Sequence, residues 1–275
     1  MSRAKLSPRQ RGFALLIVLW TMALLALIGT QVTSAGHGET KLAANLRASA
    51  VAQAAADGAV FEAVLHLLDG SRDHWYADGI ARRIKMPQAV VDVEMVDEGR
   101  KMTLNNSSLP MVRGVMRAAG VNDNLSAILT DQIADWRSPS QVPLPKGAKG
   151  PQYLAAGREY GPPNQPFRTV EEMQMLLAMT PEVYARINPY FSPYVESSPK
   201  AMGADPVIAR ALADAQVAGA PTLAFEEAAT VTVTALAVAN GARFIRRAVI
   251  RLATDQLTSP GAPLFMVLEW NTAGD

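Results

Sequence analysis

Residues 8–36, PRQRGFALLIVLWTMALLALIGTQVTSAG, decide how the rest of this chain is read. From Phe13 to Gly29 no ionisable side chain occurs, while the twelve residues before carry Arg3, Lys5, Arg9 and Arg11 and no acid. An apolar run of roughly 17 residues sits at the short end for a helix crossing a hydrocarbon core, and the basic residues hold its N-terminal side in the cytoplasm. The bulk of the chain is then exported. A cleaved signal peptide is the competing reading, with Thr33-Ser34-Ala35 as the small residues near its cleavage point.

The helical pattern does not stop where a signal peptide would. TKLAANLRASAVAQAAADGAVFEAVLHLLDG follows, rich in Ala and Leu and free of proline. Leu42, Leu46, Ala50 and Ala54, then Phe61, Val64, Leu65 and Leu68, recur at steps of three and four, which predicts one apolar stripe facing a core. At 1.5 Å per residue, a single helix from Phe13 to Leu68 would be roughly 84 Å long. Gly29, Gly36 and Gly38 weaken it, and a bend or melted turn is expected near Gly36-His37-Gly38.

A basic leader, then Gly12-Phe13, then a bare apolar run flowing into a long amphipathic helix resembles the type III leader of type IV pilins and type II secretion pseudopilins. The resemblance implies that a prepilin peptidase cuts between Gly12 and Phe13 and methylates the new terminus. Most members carry Glu at the fifth mature position, where this chain has Ile17. A carboxylate at the bilayer centre costs about 2.5 to 3.5 kcal/mol or more unless paired, and in such filaments the resemblance implies pairing with a neighbouring N-terminal amine. A subunit at the tip has no neighbour ahead of it. The family's K-type minor pseudopilins, which resemble tip subunits, are also apolar at this place.

Composition bounds the remainder. With 275 residues, 49% of them hydrophobic, the chain can bury a sizeable core. It has no cysteine, which excludes disulfides, thiolate metal sites and a cysteine nucleophile. Loss of the leader's four cations would turn the formal charge from +1 to −3, a poor balance for binding DNA.

QAVVDVEMVDEGRKMTL alternates Val91, Val93 and Met95 with Asp92 and Glu94, and Asp97-Glu98-Gly99 reads as the turn of a hairpin. Further strands come only near the end, as ATVTVTALAV, Asn240-Gly241, ARFIRRAVIRLAT, SPGAP and LFMVLEW, and Asn-Gly between β-branched runs is a strong hairpin signal. An isolated hairpin is marginal in water, so both sets are expected in one antiparallel sheet packed on the exported part of the long helix.

The residues between, about 105 to 195, show no strand pattern. Ser107 or Ser108 can cap a helix entered through Pro110, with Val112, Val115 and Met116 inward. Thr169 and Glu172 form a capping-box pair before Met173, Leu176 and Leu177. Each unit is broken once, at Ala119-Gly120-Val121 and at Met179-Thr180-Pro181, as helix-hairpin-helix or SAM-like units are. Leu104-Asn105, Asp135-Trp136-Arg137, Gly147-Ala148, Tyr153, Pro162 to Phe167 and Glu171-Glu172-Met173 extend the resemblance to the K-type pseudopilins. The fold implied is α+β: a pilin-like long N-terminal helix on an antiparallel sheet, with a large inserted all-helical domain of two SAM-like units. Its parts are a cytoplasmic leader over 1–12, the long helix over 13–68 with a transmembrane part over 13–29, a sheet domain over 69–104 and 200–275, and the helical insert over 105–199.

K-type members can hold calcium after the DWR motif, and such an ion wants six to eight oxygens. Asp131, Asp135 and Glu159 are the candidate ligands, but Ser138 and Ser140 stand where acids are expected and Lys149 replaces a Glu, which opposes a divalent ion. The bland reading is that Asp135 pairs with Arg137 or caps a helix end. His37, His66 and His74 have no metal-ligand spacing. Asp73-His74-Trp75 reads as a polar linker, Met173, Met175 and Met179 as core, and Arg246, Arg247 and Arg251 as a solvated strand face. No Walker loop and no Gly-x-Ser-x-Gly elbow is present.

The resemblance therefore implies a non-enzymatic minor pseudopilin at the tip of the secretion pseudopilus. It would sit in the bacterial inner membrane with a cytoplasmic N-terminus and periplasmic domains. Its implied partners are the I, J and H minor pseudopilins, the prepilin peptidase and the inner-membrane secretion platform, with no nucleic acid. The alternative is a membrane-anchored helix-hairpin-helix receptor for DNA uptake, since LNNSS resembles the opening of such units. Those units use a Gly-x-Gly hairpin, and AGVNDN lacks the second glycine and adds Asp123.

Overall fold

A computed structural model describes residues 8–196, 205–217, 230–253 and 263–272. Along the first helix the side chains of 8–12, 14 and 29–38 lie outside that description, as do Arg3, Lys5 and residues 259–262 of the expected SPGAP turn. Helix α1 spans Pro8–Leu68 in one piece, 61 residues, so the melted turn expected at Gly36-His37-Gly38 does not form. The lost propensity of those glycines, about 1 kcal/mol each, is outweighed by the long helix-forming flanks.

Strands β1 (Arg82–Met86), β2 (Ala89–Asp97), β5 (Thr230–Ala239), β6 (Ala242–Leu252) and β7 (Phe265–Thr272) form one antiparallel sheet in the order β1-β2-β5-β6-β7. The early and late strands thus join as expected, through the pairing of β2 with β5 from Val90↔Val238 to Asp97↔Val231. Asn240 and Gly241 both have positive φ, 46° and 84°, the geometry that a tight two-residue hairpin needs.

The first hairpin differs from expectation. Its partner strand is β1, upstream, and the turn is at Pro87-Gln88. Asp97-Glu98-Gly99 is a single 3-10 turn, with the Asp97 carboxylate accepting from the Gly99 amide at 2.8 Å, and it leads the chain out of the sheet. Two-residue strands β3 (Met102–Thr103) and β4 (Phe191–Ser192) pair in parallel and draw the two ends of the helical segment together.

That segment comprises α2 (Leu109–Ala118), α3 (Asp123–Arg137), α4 (Gly150–Ala155), a 3-10 stretch Val170–Met175 and α5 (Pro181–Ile187). Its core holds Val112, Val115, Met116, Ile133, Trp136, Phe167, Met173 and Leu176. The capping pair before Met173 forms in part, Glu172 Oε1 accepting from the Thr169 amide at 3.3 Å, but the helix beyond it is a 3-10 turn. Helix α6 (Pro206–Val217) was expected with the sheet domain. It packs on α2 instead, where Ala211 lies against Gly114 and Ile208 and Leu212 complete the helical core.

On the sheet's other face lies α1, and its buried side differs from the expected stripe. Ala52, Ala56, Ala59, Val60, Ala63 and Val64 are buried against Val91, Val93, Val233, Ala235 and Ile250. Leu46 and Leu65, expected inward, are 62% and 67% exposed. Small side chains let the helix backbone approach the pleated surface closely, so the larger residues of the stripe are turned out.

Candidate functional site

Two features of the described residues have functional content. The first is the N-terminal half of α1. Phe13, Leu15 to Val18, Trp20, Met22, Leu24 and Leu25 are all exposed, and Ile17 lies among them. Among the described residues of α1 two stretches are apolar, Leu15–Ile28 and Glu39–Leu68, and the second has the length and composition of a membrane span. The second already buries one face on the sheet, so the acid-free, uncovered first stretch is the better anchor. Gly12 and Phe13 fall inside the helix, near its N-terminal end.

The second feature is a clamp formed by the LN, DWR and Pro162 to Phe167 motifs. Asn105 donates from Nδ2 to the carbonyls of Phe167 (3.0 Å) and Pro193 (3.3 Å), and its Oδ1 accepts from the Phe167 amide at 2.8 Å. One carboxamide thereby bonds two distant strands of loop as a peptide group would. Trp136 stacks on Phe167, centroids 5.9 Å apart, and donates to Glu172 Oε2 at 3.1 Å. Arg137 donates to the carbonyls of Leu104 and, at 2.9 Å, Ser107, so it holds the entry to the segment and does not pair with Asp135.

Of the three expected calcium ligands, two come close to each other: Asp135 is enclosed, while Asp131 lines an open cleft together with Arg113, Arg117 and Arg210. Asp135 is buried and accepts from the Leu144 amide at 3.0 Å, while Asp131 accepts from the Lys146 amide at 3.0 Å. Glu159 is exposed beyond α4, and among the described residues no three acidic or histidine side chains are grouped to hold a metal. Lys149 is 1% exposed, and its ammonium donates to the carbonyl of Asp135, to that of Ser138 at 2.8 Å and to Asn164 Oδ1 at 2.8 Å. Burial pushes the Asp135 carboxyl up, against the pull of the Leu144 amide and the Lys149 charge. Burial also pushes the Lys149 ammonium down, against Asp135. A divalent ion would meet a fixed positive charge and oxygens already engaged, so the residues present do not fit calcium.

The DNA-receptor alternative meets a similar obstacle at the α2–α3 hairpin. Gly120 has φ 84° and its carbonyl accepts from Arg186 at 3.0 Å. The N-terminus of α3, where a phosphate would approach, carries Asp123, paired with Arg113 at 2.6 Å and Arg117 at 3.3 Å. The acid takes the place an anion would need.

The remaining candidates are structural. His66 stacks on Trp75 at 4.1 Å and donates from Nδ1 to the Asp73 carbonyl at 2.8 Å, and His74 donates to the Asp69 carbonyl at 3.0 Å. Both fasten the linker to the end of α1; the side chain of His37 is outside the described residues. Met173 is buried, Met179 packs at the core's edge and Met175 is exposed. Arg246, Arg247 and Arg251 of β6 do not form one solvated face. Arg246 is buried, pairs with Asp57 of α1 at 2.6 Å and lies over Phe244 and Trp270 at 5.0 and 5.1 Å. On the opposite face Arg247 reaches Glu171 at 3.3 Å and Arg251 donates to the Tyr194 carbonyl at 2.8 Å, tying the sheet to the helical segment. Alternation along the strand, with Arg246 in step with Ala248 and Ile250, was the signal that could have found the buried one.

Residues 89–195 match the family described as "Type II secretion system (T2SS), protein K". The chain is 26% identical over 226 residues to type II secretion system protein K of Klebsiella pneumoniae, covering 67% of this chain and 63% of that one. It is 30% identical over 101 residues to the protein of the same name from Pseudomonas aeruginosa, covering 36% and 30%. The chain therefore spans less than two thirds of the length of these curated relatives. Its fold is similar to a chain of the GspK-GspI-GspJ complex of the enterotoxigenic Escherichia coli type 2 secretion system, with a TM-score of 0.63, 14% identity and coverage of 86% of this chain and all of that one.

Proposed function

We infer, from the match of residues 89–195 to the type II secretion system protein K family, that this chain is a minor pseudopilin acting at the tip of a secretion pseudopilus. The observation that carries the reading is the unbroken helix Pro8–Leu68, whose first half exposes an acid-free apolar surface and whose second half packs on the sheet. One rod thus has a lipid-facing end and a folded head. In this reading the rod and sheet are the pilin-like part and the helical segment is an insert within it.

Phe13–Gly29 holds the chain in the inner membrane with Arg9 and Arg11 on the cytoplasmic side, and the sheet and helices stand in the periplasm. Prepilin peptidase cuts between Gly12 and Phe13 and methylates Phe13. Ile17 leaves no carboxylate to be neutralised by an amine from a subunit ahead, which suits the leading position. Small residues such as Ala23 and Ala26 let neighbouring helices approach in the bilayer, and outward Leu42, Leu46 and Leu65 extend that contact beyond it. The partners are the I, J and H minor pseudopilins and the inner-membrane platform. The helical segment, too bulky to be overlaid, stops addition of another subunit. The role is packing, with no catalytic step.

Mass spectrometry of the terminus of the membrane-extracted protein tests this directly. N-methylated Phe13 is expected in cells with the peptidase and the intact leader in cells without it. A terminus near Gly36 on a freely soluble protein would refute the reading. In the same cells Ile17→Glu should lower recovery of the tip complex.

A further inference from the structure

We propose that Lys149 is a built-in cation: its ammonium fills the ion position of the loop between α3 and α4, so the helical segment closes without a metal. Three oxygens converge on Nζ from two parts of the chain. The carbonyls of Asp135 and Ser138 come from the C-terminal end of α3, and Asn164 Oδ1 from the loop before Phe167. An ammonium has three donors, and here each has an acceptor, so its hydrogen-bonding capacity is filled. The last carbonyls of a helix carry partial negative charge and favour a cation. The Asp135 carboxylate supplies the counter-charge.

The geometry around this point is that of a cation-organised loop. Asn164 adopts a left-handed conformation, φ 57°, that presents its Oδ1 to the ammonium. Gln152 Oε1 accepts from the Lys149 amide at 3.0 Å, fixing the start of α4 and with it the root of the lysine side chain. Asp135 and Asp131, one helical turn apart, are satisfied by backbone amides of the same loop. A covalently tethered cation is always present, whereas a bound ion is held only above its dissociation constant. Removing the charge while keeping the loop would leave carbonyl oxygens facing one another, a latent site for an added cation.

The test uses the full-length chain in detergent. Thermal unfolding of the unsubstituted protein should be the same within about 1 °C in EDTA and in millimolar Ca2+. Lys149→Met, which keeps the stem and removes the charge, should lower the midpoint by roughly 5 °C or more. In Lys149→Ala, which leaves a space, millimolar methylammonium or Ca2+ should recover part of that loss, with no such recovery in Lys149→Met. Saturable stabilisation of the unsubstituted protein by Ca2+ would overturn the proposal, as would Lys149→Met melting like the unsubstituted protein or Lys149→Ala gaining nothing from any cation. Should the substituted chains fail to fold, the Ca2+ titration of the unsubstituted protein decides alone.

Discussion

Gly147→Ala isolates the loop that closes over Asp135. A methyl group at Gly147 would stand 1.8 Å from Asp135 Oδ2, 2.7 Å from its Cγ and 3.2 Å from the Leu144 nitrogen. The effect is one of space, because the φ of Gly147 is not in the left-handed region. To admit the methyl, the carboxylate must turn or the loop must lift, and either way the bond from the Leu144 amide to Asp135 is lost. A hydrogen bond to a charged group is worth about 1.5–3 kcal/mol, and a buried ammonium parted from its counter-charge adds to that. We expect a loss of about 3 kcal/mol, or roughly 6–12 °C in the unfolding midpoint. Gly150→Ala, where an added Cβ meets nothing within 4 Å, is the control and should change stability by under about 1 kcal/mol. In an Asp135→Ala background the two nearest colliding atoms are gone and only the Leu144 nitrogen at 3.2 Å remains, so Gly147→Ala should cost far less there. Equal midpoints for Gly147→Ala and the unsubstituted protein, or strictly additive losses in the double variant, would refute the reasoning.

The Asp57–Arg246 pair should behave as a fastener between α1 and the sheet. Asp57→Ala strands a buried guanidinium and is expected to cost about 2–4 kcal/mol, with a coupling on the order of 1–3 kcal/mol in the double-mutant cycle read by denaturant unfolding. Glu269 gives the pH dependence: burial, then Glu171 and Glu98, push its carboxyl above the ordinary value of 4.5. The folded state then binds more protons than the unfolded one just above pH 4.5, so stability should fall as pH rises through that window. Glu269→Gln should flatten this fall in midpoints measured from pH 4.5 to 7; an unchanged slope would assign it to other groups.

How much of this was legible in the sequence depends on what each residue's signal was. Asn240-Gly241 carries its own backbone requirement and was read correctly, as was the core set Val112, Val115 and Met116. Strand β1 was missed because RRIKM is an edge strand, its Ile84 and Met86 alternating with Arg83 and Lys85 in too short a run to stand out. The expected face of α1 holds at Val64 and Leu68 and fails at Leu46 and Leu65 for a physical reason: hydrophobicity ranks Leu above Ala, yet against a twisted sheet closeness of approach favours the smaller side chain. Leu42 and Leu65 obey the helical period and still point away. In the sequence Lys149 is only an obstacle to a cation, since one letter gives its charge but not the three oxygens that surround it.

The two-residue ladder of β3 with β4 bears on the order in which the chain folds. Glu98 and Thr232, bonded at 2.6 Å, are 134 positions apart, so β2 and β5 must find each other across a long contour. Once the helices have condensed and Met102 lies beside Phe191, most of that contour is already closed. Loop-closure entropy grows with the logarithm of length, and cutting the free length by about two thirds saves about 1 kcal/mol at the moment the central strands pair. The helices, though longest in sequence, then behave kinetically as a short tether, and the sheet can assemble as though the detour were absent.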